Sequence, residues 1–260
     1  MQQLKDKRVL ITGASSGIGR SLAIEFAREG AKLILHGRSE HSLAPVLEEI
    51  RKSGITPHGL YADLNEREAV VRLCQDASMK YEGIDIVINN AGAVSKAPIS
   101  TTSEEEWDRI LQVNLTTPYL ISHHLVPVIK KNEEGGRLIF ISSVAAKLPD
   151  PFGSAYNASK AGLLGLVRCL AAELGRNNIT VNAICPGWVD TGMAERLHTE
   201  MPSAKEKQFD EFYDASIRAN MLNARITPDN IAEFAVYLAS EKGKFMTAQS
   251  INVCAGLCPS

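Results

Sequence analysis

The sequence predicts an α/β fold in one domain: a doubly wound sheet of about seven parallel strands with helices on both faces. Three observations carry that prediction. Short β-branched apolar runs alternate with stretches of helical period along the chain. No linker, repeat or low-complexity segment breaks the alternation. Glycine, proline and polar clusters gather where the predicted strands end. Strand–helix–strand units close right-handed, so the strands run parallel.

Each element has its own signal. Arg8 to Thr12 (RVLIT) is short, apolar and ends in glycine, as a buried strand does. Gly17 to Glu29 has helical spacing through Ile18, Leu22, Ile24 and Phe26, and Gly30 stops it. Ala31 to His36 is a second strand, and Ser39 to Lys52 a charged amphipathic helix opened by Ser39. His58 to Asp63, Glu66 to Tyr81 and Ile84 to Asn89 read as strand, helix and strand. One long helix is expected from about Ser103 to Lys131, opened by the capping sequence Ser103-Glu104-Glu105-Glu106. Arg137 to Ser142 is a fifth strand. Gly153 to Gly175 is a helix made small on several faces by Ala158, Ala161, Gly162 and Gly165, which suits close packing or a subunit interface. Ile179 to Cys185, Pro228 to Ser240 and Ser250 to Cys254 complete the pattern as strand, helix and strand. Residues 192–226 are polar and irregular, and are expected as a substrate lid or a surface excursion within the domain.

Composition bounds the function. A net charge of −2 gives no electrostatic reason for nucleic acid or an anionic membrane as partner. The five cysteines are scattered with no CxxC, which argues for reduced thiols and against a disulfide framework or zinc site. The histidines show no metal-binding spacing. The absence of a long apolar run or signal-like start gives the expectation of a cytoplasmic protein.

Two stretches carry chemistry. Thr12-Gly13-Ala14-Ser15-Ser16-Gly17-Ile18-Gly19 lies between the first strand and the first helix. Glycines there let backbone approach a pyrophosphate, and the helix start offers free amides and a positive dipole end. The second strand then runs into His36-Gly37-Arg38. No acid is present to hold a ribose 2′-hydroxyl, whereas Arg38 can pair with a 2′-phosphate, which favours NADP(H) over NAD(H). The other stretch is Tyr156-Asn157-Ala158-Ser159-Lys160. Tyr156 and Lys160 share a helix face, and an ammonium beside a phenol is expected to lower the phenol pKa and make it an acid or base.

With these residues in view, the chain resembles the classical short-chain dehydrogenase/reductase family from Lys7 to about Gly256, with its Rossmann fold. The matching pieces are TGASSGIG at 12–19, Asp63, NNAG at 89–92, Asn114, Ser143, YNASK at 156–160 and PGWVDT at 186–191. The resemblance implies a catalytic set of Asn114, Ser143, Tyr156 and Lys160. Tyr156 would be the proton donor or acceptor, Ser143 would bind the substrate oxygen, Lys160 would lower the Tyr156 pKa and hold the nicotinamide ribose, and Asn114 would hold a relay water. Ser142 is an alternative donor to Ser143, and Asn114 has a structural alternative. The implied cofactor contacts are Gly13, Ser15, Ser16, Gly17, Ile18 and Gly19 in the turn, with Arg38, Asp63 and Leu64 toward the adenosine. Asn90, Ala91 and Gly92, then Tyr156 and Lys160, then Pro186, Gly187, Val189 and Thr191, would line the nicotinamide half. No metal is expected, and the resemblance implies a homotetramer.

The tail departs from the family pattern at Val253-Cys254-Ala255-Gly256-Leu257, and is similar to polyketide ketoreductases and 3-oxoacyl-carrier-protein reductases. The expected activity is therefore NADP(H)-dependent reduction of a ketone such as a 3-oxoacyl thioester. A polyol or sugar dehydrogenase is the second expectation, and a non-catalytic cofactor-binding scaffold the third. Lys96 and Lys147 lie near the expected pocket and read as surface residues.

Overall fold

The computed structural model describes residues 2–193, 214–215 and 217–259. Seven strands form one sheet: β1 (Arg8–Ile11), β2 (Lys32–Gly37), β3 (His58–Tyr61), β4 (Ile86–Asn89), β5 (Gly136–Ile141), β6 (Ile179–Pro186) and β7 (Ser250–Val253). Every pairing is parallel, in the order β3-β2-β1-β4-β5-β6-β7. The chain winds outward from β1 in both directions, so the order reverses between β1 and β4. The crevice at the C-terminal ends of those two strands is where such a sheet holds a ligand.

The helices are α1 (Gly17–Arg28), α2 (Glu40–Arg51), α3 (Arg67–Lys80), α4 (Glu104–Leu111), α5 (Thr117–Ile129), α6 (Ser154–Leu174) and α7 (Pro228–Ala239). Successive strand residues point to opposite faces, so each buried strand feeds two cores. Val9 and Ile11 pack with Leu22, Phe26, Val46 and Ile231 from α1, α2 and α7. Leu10 packs with Val70, Ile121, Leu125 and Val167 from α3, α5 and α6. This two-sided burial is why the strands are continuous apolar runs rather than alternating ones.

Element types follow the sequence expectations, with ends shifted by one or two residues. The expected helix from Ser103 to Lys131 differs. A π-helical turn at Gln112–Thr116 separates α4 from α5, and Asn114 lies inside it. One extra residue in a turn rotates the following helix by about 100° relative to a continuous one.

Of the expected lid at 192–226, residues 194–213 and 216 lie outside the described residues. A parallel bridge between Val189 and Ile226 joins the two ends of that stretch. No described helix is long and apolar enough to cross a membrane.

Candidate active site

β1 delivers Thr12 and Gly13 into the crevice. Gly13 has φ +66°, and a Cβ there would lie 2.8 Å from the Ala91 Cα. Only glycine lets the turn pass that close to the segment after β4. Thr12 Oγ1 accepts hydrogen bonds from the backbone amides of Asn90 (3.0 Å) and Ala91 (3.1 Å). Asn90 Nδ2 donates to the carbonyl oxygens of Thr12 (2.9 Å) and Gly13 (3.1 Å). The turn is thereby fixed before any ligand arrives.

After Ser15 and Ser16, α1 begins at Gly17-Ile18-Gly19 with no side-chain cap and no acid in its first turn. Its leading amides and positive dipole end are left for an anion. Thr191 closes over this start: a Cβ on Gly17 would sit 3.2 Å from Thr191 Cγ2. Pro186 ends β6, the Gly187 amide donates to Val253 O (3.0 Å), and Thr191 Oγ1 donates to Val189 O at 3.4 Å. The predicted segments 13–19, 90–92 and 186–191 thus converge on one crevice.

Asp63, just beyond β3, is exposed and accepts from the Asn65 amide (2.9 Å) and side chain (2.8 Å). Leu64 is buried, and its carbonyl accepts from Thr117 Oγ1 (2.9 Å). Arg38 is exposed at the end of β2, with no hydrogen-bond or ionic partner among the described residues. The uncapped helix start and the tight glycine cradle fit a pyrophosphate-bearing dinucleotide.

The second group forms around α6. The Ser143 hydroxyl acts on the Tyr156 phenol and favours its ionised form, and Ser143 Oγ accepts from the Ala145 amide (3.1 Å). The neighbouring Ser142 is committed elsewhere: it is buried and donates to the Lys160 carbonyl (3.0 Å), tying β5 to α6. Ser143 is therefore the serine that meets the tyrosine.

Asn114 is fully buried. Its Oδ1 accepts from the Ala93 amide (2.8 Å), and its Nδ2 donates to the Ala93 carbonyl (2.8 Å) and to Ser159 Oγ (3.0 Å). It ties the loop after β4 to α6. A Cβ on Gly92 would lie 3.4 Å from both Asn114 Oδ1 and Lys160 Nζ, so glycine keeps a gap between them.

The electrostatics differ from the sequence expectation. Burial pushes the Tyr156 phenol up to about 12; the Ser143 hydroxyl pulls the other way, and Asp150 and Cys185 add to the rise. Burial also pushes Lys160 down to about 8. The hydrogen bond that the ammonium makes is to a backbone carbonyl and not to the phenol oxygen. Lys160 Nζ donates to Ile141 O (2.9 Å) and stands 5.7 Å from the centre of the Tyr156 ring. Desolvation of a phenolate outweighs an ammonium that is bonded to a carbonyl instead.

One contributor has no family motif to mark it. His36 is buried, and its Nδ1 accepts from the Gly13 amide (3.2 Å) while Nε2 bonds Ala62 O (3.1 Å). Accepting on one nitrogen and donating from the other requires the neutral ring with its proton on Nε2. His36 links the glycine turn to the segment leading to Asp63. A histidine ending a strand beside the turn was the only trace of it in the sequence.

A sheet with this order, a glycine cradle at its switch point and a tyrosine, lysine and serine at its C-terminal edge define a nucleotide-dependent oxidoreductase. Residues 13–258 match the family model described as enoyl-(acyl carrier protein) reductase, and the chain belongs to the short-chain dehydrogenase/reductase family. It is 37% identical over 262 residues to the short-chain dehydrogenase/reductase FrzI of Cladobotryum sp, covering 98% of this chain and 96% of that one. It is 32% identical over 257 residues to the 3-oxoacyl-[acyl-carrier-protein] reductase FabG of Thermotoga maritima, covering 98% and 99%. A crystal structure from Beutenbergia cavernae, provisionally assigned as an NAD(P)-dependent gluconate 5-dehydrogenase with NADP bound at low occupancy, superposes with a TM-score of 0.91 at 29% identity, covering 99% of each chain.

Proposed function

We propose that the chain is an NADP(H)-dependent ketoreductase in which Tyr156 donates the proton to the substrate oxygen. The observation that carries this reading is the grouping of Tyr156, Ser143 and Lys160 at the sheet edge that also holds the glycine turn. When bound, the cofactor supplies the hydride. Ser143 and Tyr156 receive the negative charge that develops on the carbonyl oxygen, and Tyr156 Oη gives up its proton to it. Lys160, positively charged at neutral pH, would hold the nicotinamide ribose, and Asn114 would keep the loop after β4 in register with α6. The high phenol pKa favours reduction, because the protonated donor is the resting form.

Arg38 supports the preference for NADP(H): an exposed guanidinium at the end of β2, unpartnered among the described residues, suits a 2′-phosphate. Asp63 and Leu64 would flank the adenine. Arg38→Asp should raise the NADPH KM tenfold or so, about 1.4 kcal/mol, and leave NADH less affected. Equal effects on the two cofactors would remove Arg38 from the assignment.

The substrate class is a 3-oxoacyl thioester or polyketide-like ketone, supported by the similarity to FabG along almost the whole chain. The likeness to the gluconate 5-dehydrogenase structure favours a sugar or polyol substrate as the second reading. Steady-state rates on a panel of ketones and sugars with NADPH and NADH separate the two. Tyr156→Phe should keep NADPH binding and lose turnover by at least ~100-fold; normal turnover in that variant refutes the role of Tyr156.

The same reading places the enzyme in the cytoplasm, where its free thiols are stable. It also makes it a homotetramer with α6 in an interface. Ala158 and Ala161 are exposed on α6, and a Cβ on Gly165 would meet nothing within 4 Å. A monomer by light scattering at micromolar concentration would refute that assembly.

A further inference from the structure

Lys96 was expected at the surface, but its side chain is only 1% exposed. It forms an ion pair with Asp150, whose side chain is 30% exposed, and it also approaches Pro151 O at 3.4 Å. Next to it, the Ala97 amide donates to Phe152 O (2.9 Å). These contacts fasten the loop that follows β4 to the segment that enters α6.

That segment is tightly wound. Phe152 has φ +67°, which is strained for a bulky residue. The Gly153 amide donates to Asp150 O (3.1 Å), and a Cβ on Gly153 would lie 3.3 Å from Asp150 Oδ2. The carboxylate is therefore set beside the first turn of α6, which contains Tyr156, and its charge acts on the phenol. The other groups acting on Tyr156 are the Ser143 hydroxyl before α6, the Cys185 thiol on β6 and Lys160 on the same helix. A buried ammonium is costly unless it is paired, and here its partner is the carboxylate that would otherwise stand beside the first turn of α6 with its full charge.

We propose that Lys96 and Asp150 are positioning residues for the reaction at Tyr156: their ion pair holds the loop after β4 against the entry to α6, and the ammonium neutralises the carboxylate set beside the first turn of that helix. This rests on the reading of Tyr156 as the proton donor. Neither residue needs to touch the substrate. Their effect is to set how readily the phenol holds its proton, and to keep Ser143 and Tyr156 in one geometry.

The two partners have opposite charge, so removing each one breaks the same contact with opposite electrostatic consequences. Lys96→Met leaves an unshielded carboxylate and makes the phenol hold its proton more tightly. Asp150→Asn leaves an unshielded ammonium and loosens it. Lys96→Met/Asp150→Asn removes both charges.

The test follows the tyrosine directly, using 13Cζ-tyrosine-labelled protein in which Tyr156→Phe identifies the resonance. The expected titration moves up by about half a pH unit or more in Lys96→Met, down by a similar amount in Asp150→Asn, and returns close to wild type in the double variant. The kcat/KM profile for alcohol oxidation should bend at pH values in the same order. A merely structural strap would lower turnover in every variant without moving either titration, and that result overturns the proposal. If Asp150→Asn does not fold, Lys96→Met and the double variant still give the upward shift and its reversal. Turnover by Tyr156→Phe would refute the donor role separately, because the resonance is read without turnover.

Discussion

His36 offers a sharp test of how the nucleotide cradle is held. Its ring accepts from the Gly13 amide at 3.2 Å and bonds the Ala62 carbonyl at 3.1 Å, in a site where His36 is 1% exposed. Replacing it with alanine strands one donor and one acceptor. Each such loss costs roughly 1–3 kcal/mol, and these partners are only partly buried, so the sum should be about 2–4 kcal/mol. At a urea m-value of about 3 kcal/mol/M the midpoint should fall by about 1 M. The pH dependence has a defined sign. Burial lowers the His36 pKa from its ordinary 6.5, against the smaller opposing effects of the Ala62 carbonyl and Asp63. A group with a depressed folded pKa stabilises the fold above its unfolded value, and that stability is lost as pH falls through the folded one. Urea melts of wild type on the acid side of 6.5 should therefore lose stability that the His36→Ala variant has already lost. NADPH affinity measured by fluorescence should fall with it, because Gly13 is no longer anchored. An unchanged midpoint near neutral pH, or equal acid slopes in the two proteins, would refute this account.

Two further outcomes follow from the buried groups. With Tyr156 pushed up to about 12, reductive kcat should stay flat through neutral pH, while alcohol oxidation, which needs the phenolate, should rise about tenfold per pH unit; stopped-assay profiles with the same pH dependence in both directions would contradict that. Of the five cysteines, Cys169 is exposed while Cys74, Cys185, Cys254 and Cys258 are buried, and burial pushes Cys74 up to about 12. One thiol should react quickly with a disulfide reagent in the native protein and five after denaturation; several fast thiols in the native state would refute that burial.

Strand and helix types were legible because a parallel sheet buried on both faces leaves unbroken apolar runs such as Val9-Leu10-Ile11, and because glycines mark the exits. The site was legible where its chemistry is local: the glycine turn, the Asn90 segment and the Tyr156 helix each announce themselves within a few residues. What was not legible depends on distant partners. The bonds of His36 cross 23 and 26 residues. The π turn at Gln112–Thr116 contains neither proline nor glycine, and QVNLT fits an α-helix equally well. It is consistent with Asn114 being held by Ala93 and Ser159, 21 and 45 residues away. Lys96 looked like an ordinary surface lysine because only the fold brings Asp150 to it.

The tyrosine–lysine pair shows where spacing stops being informative. A four-residue interval places two side chains on one helix face, and from that a lowered phenol pKa follows only if the ammonium turns toward the phenol. Here the Ile141 carbonyl takes the ammonium, and burial decides the sign for both groups. Each is shifted toward its neutral form, the phenol to about 12 and the lysine to about 8. Both therefore hold their protons at neutral pH, the phenol next to a cation. That is the protonation state the proposed reduction requires. The burial that opposes the expected pKa shift thus keeps the proton on the phenol, where the proposed reaction would use it.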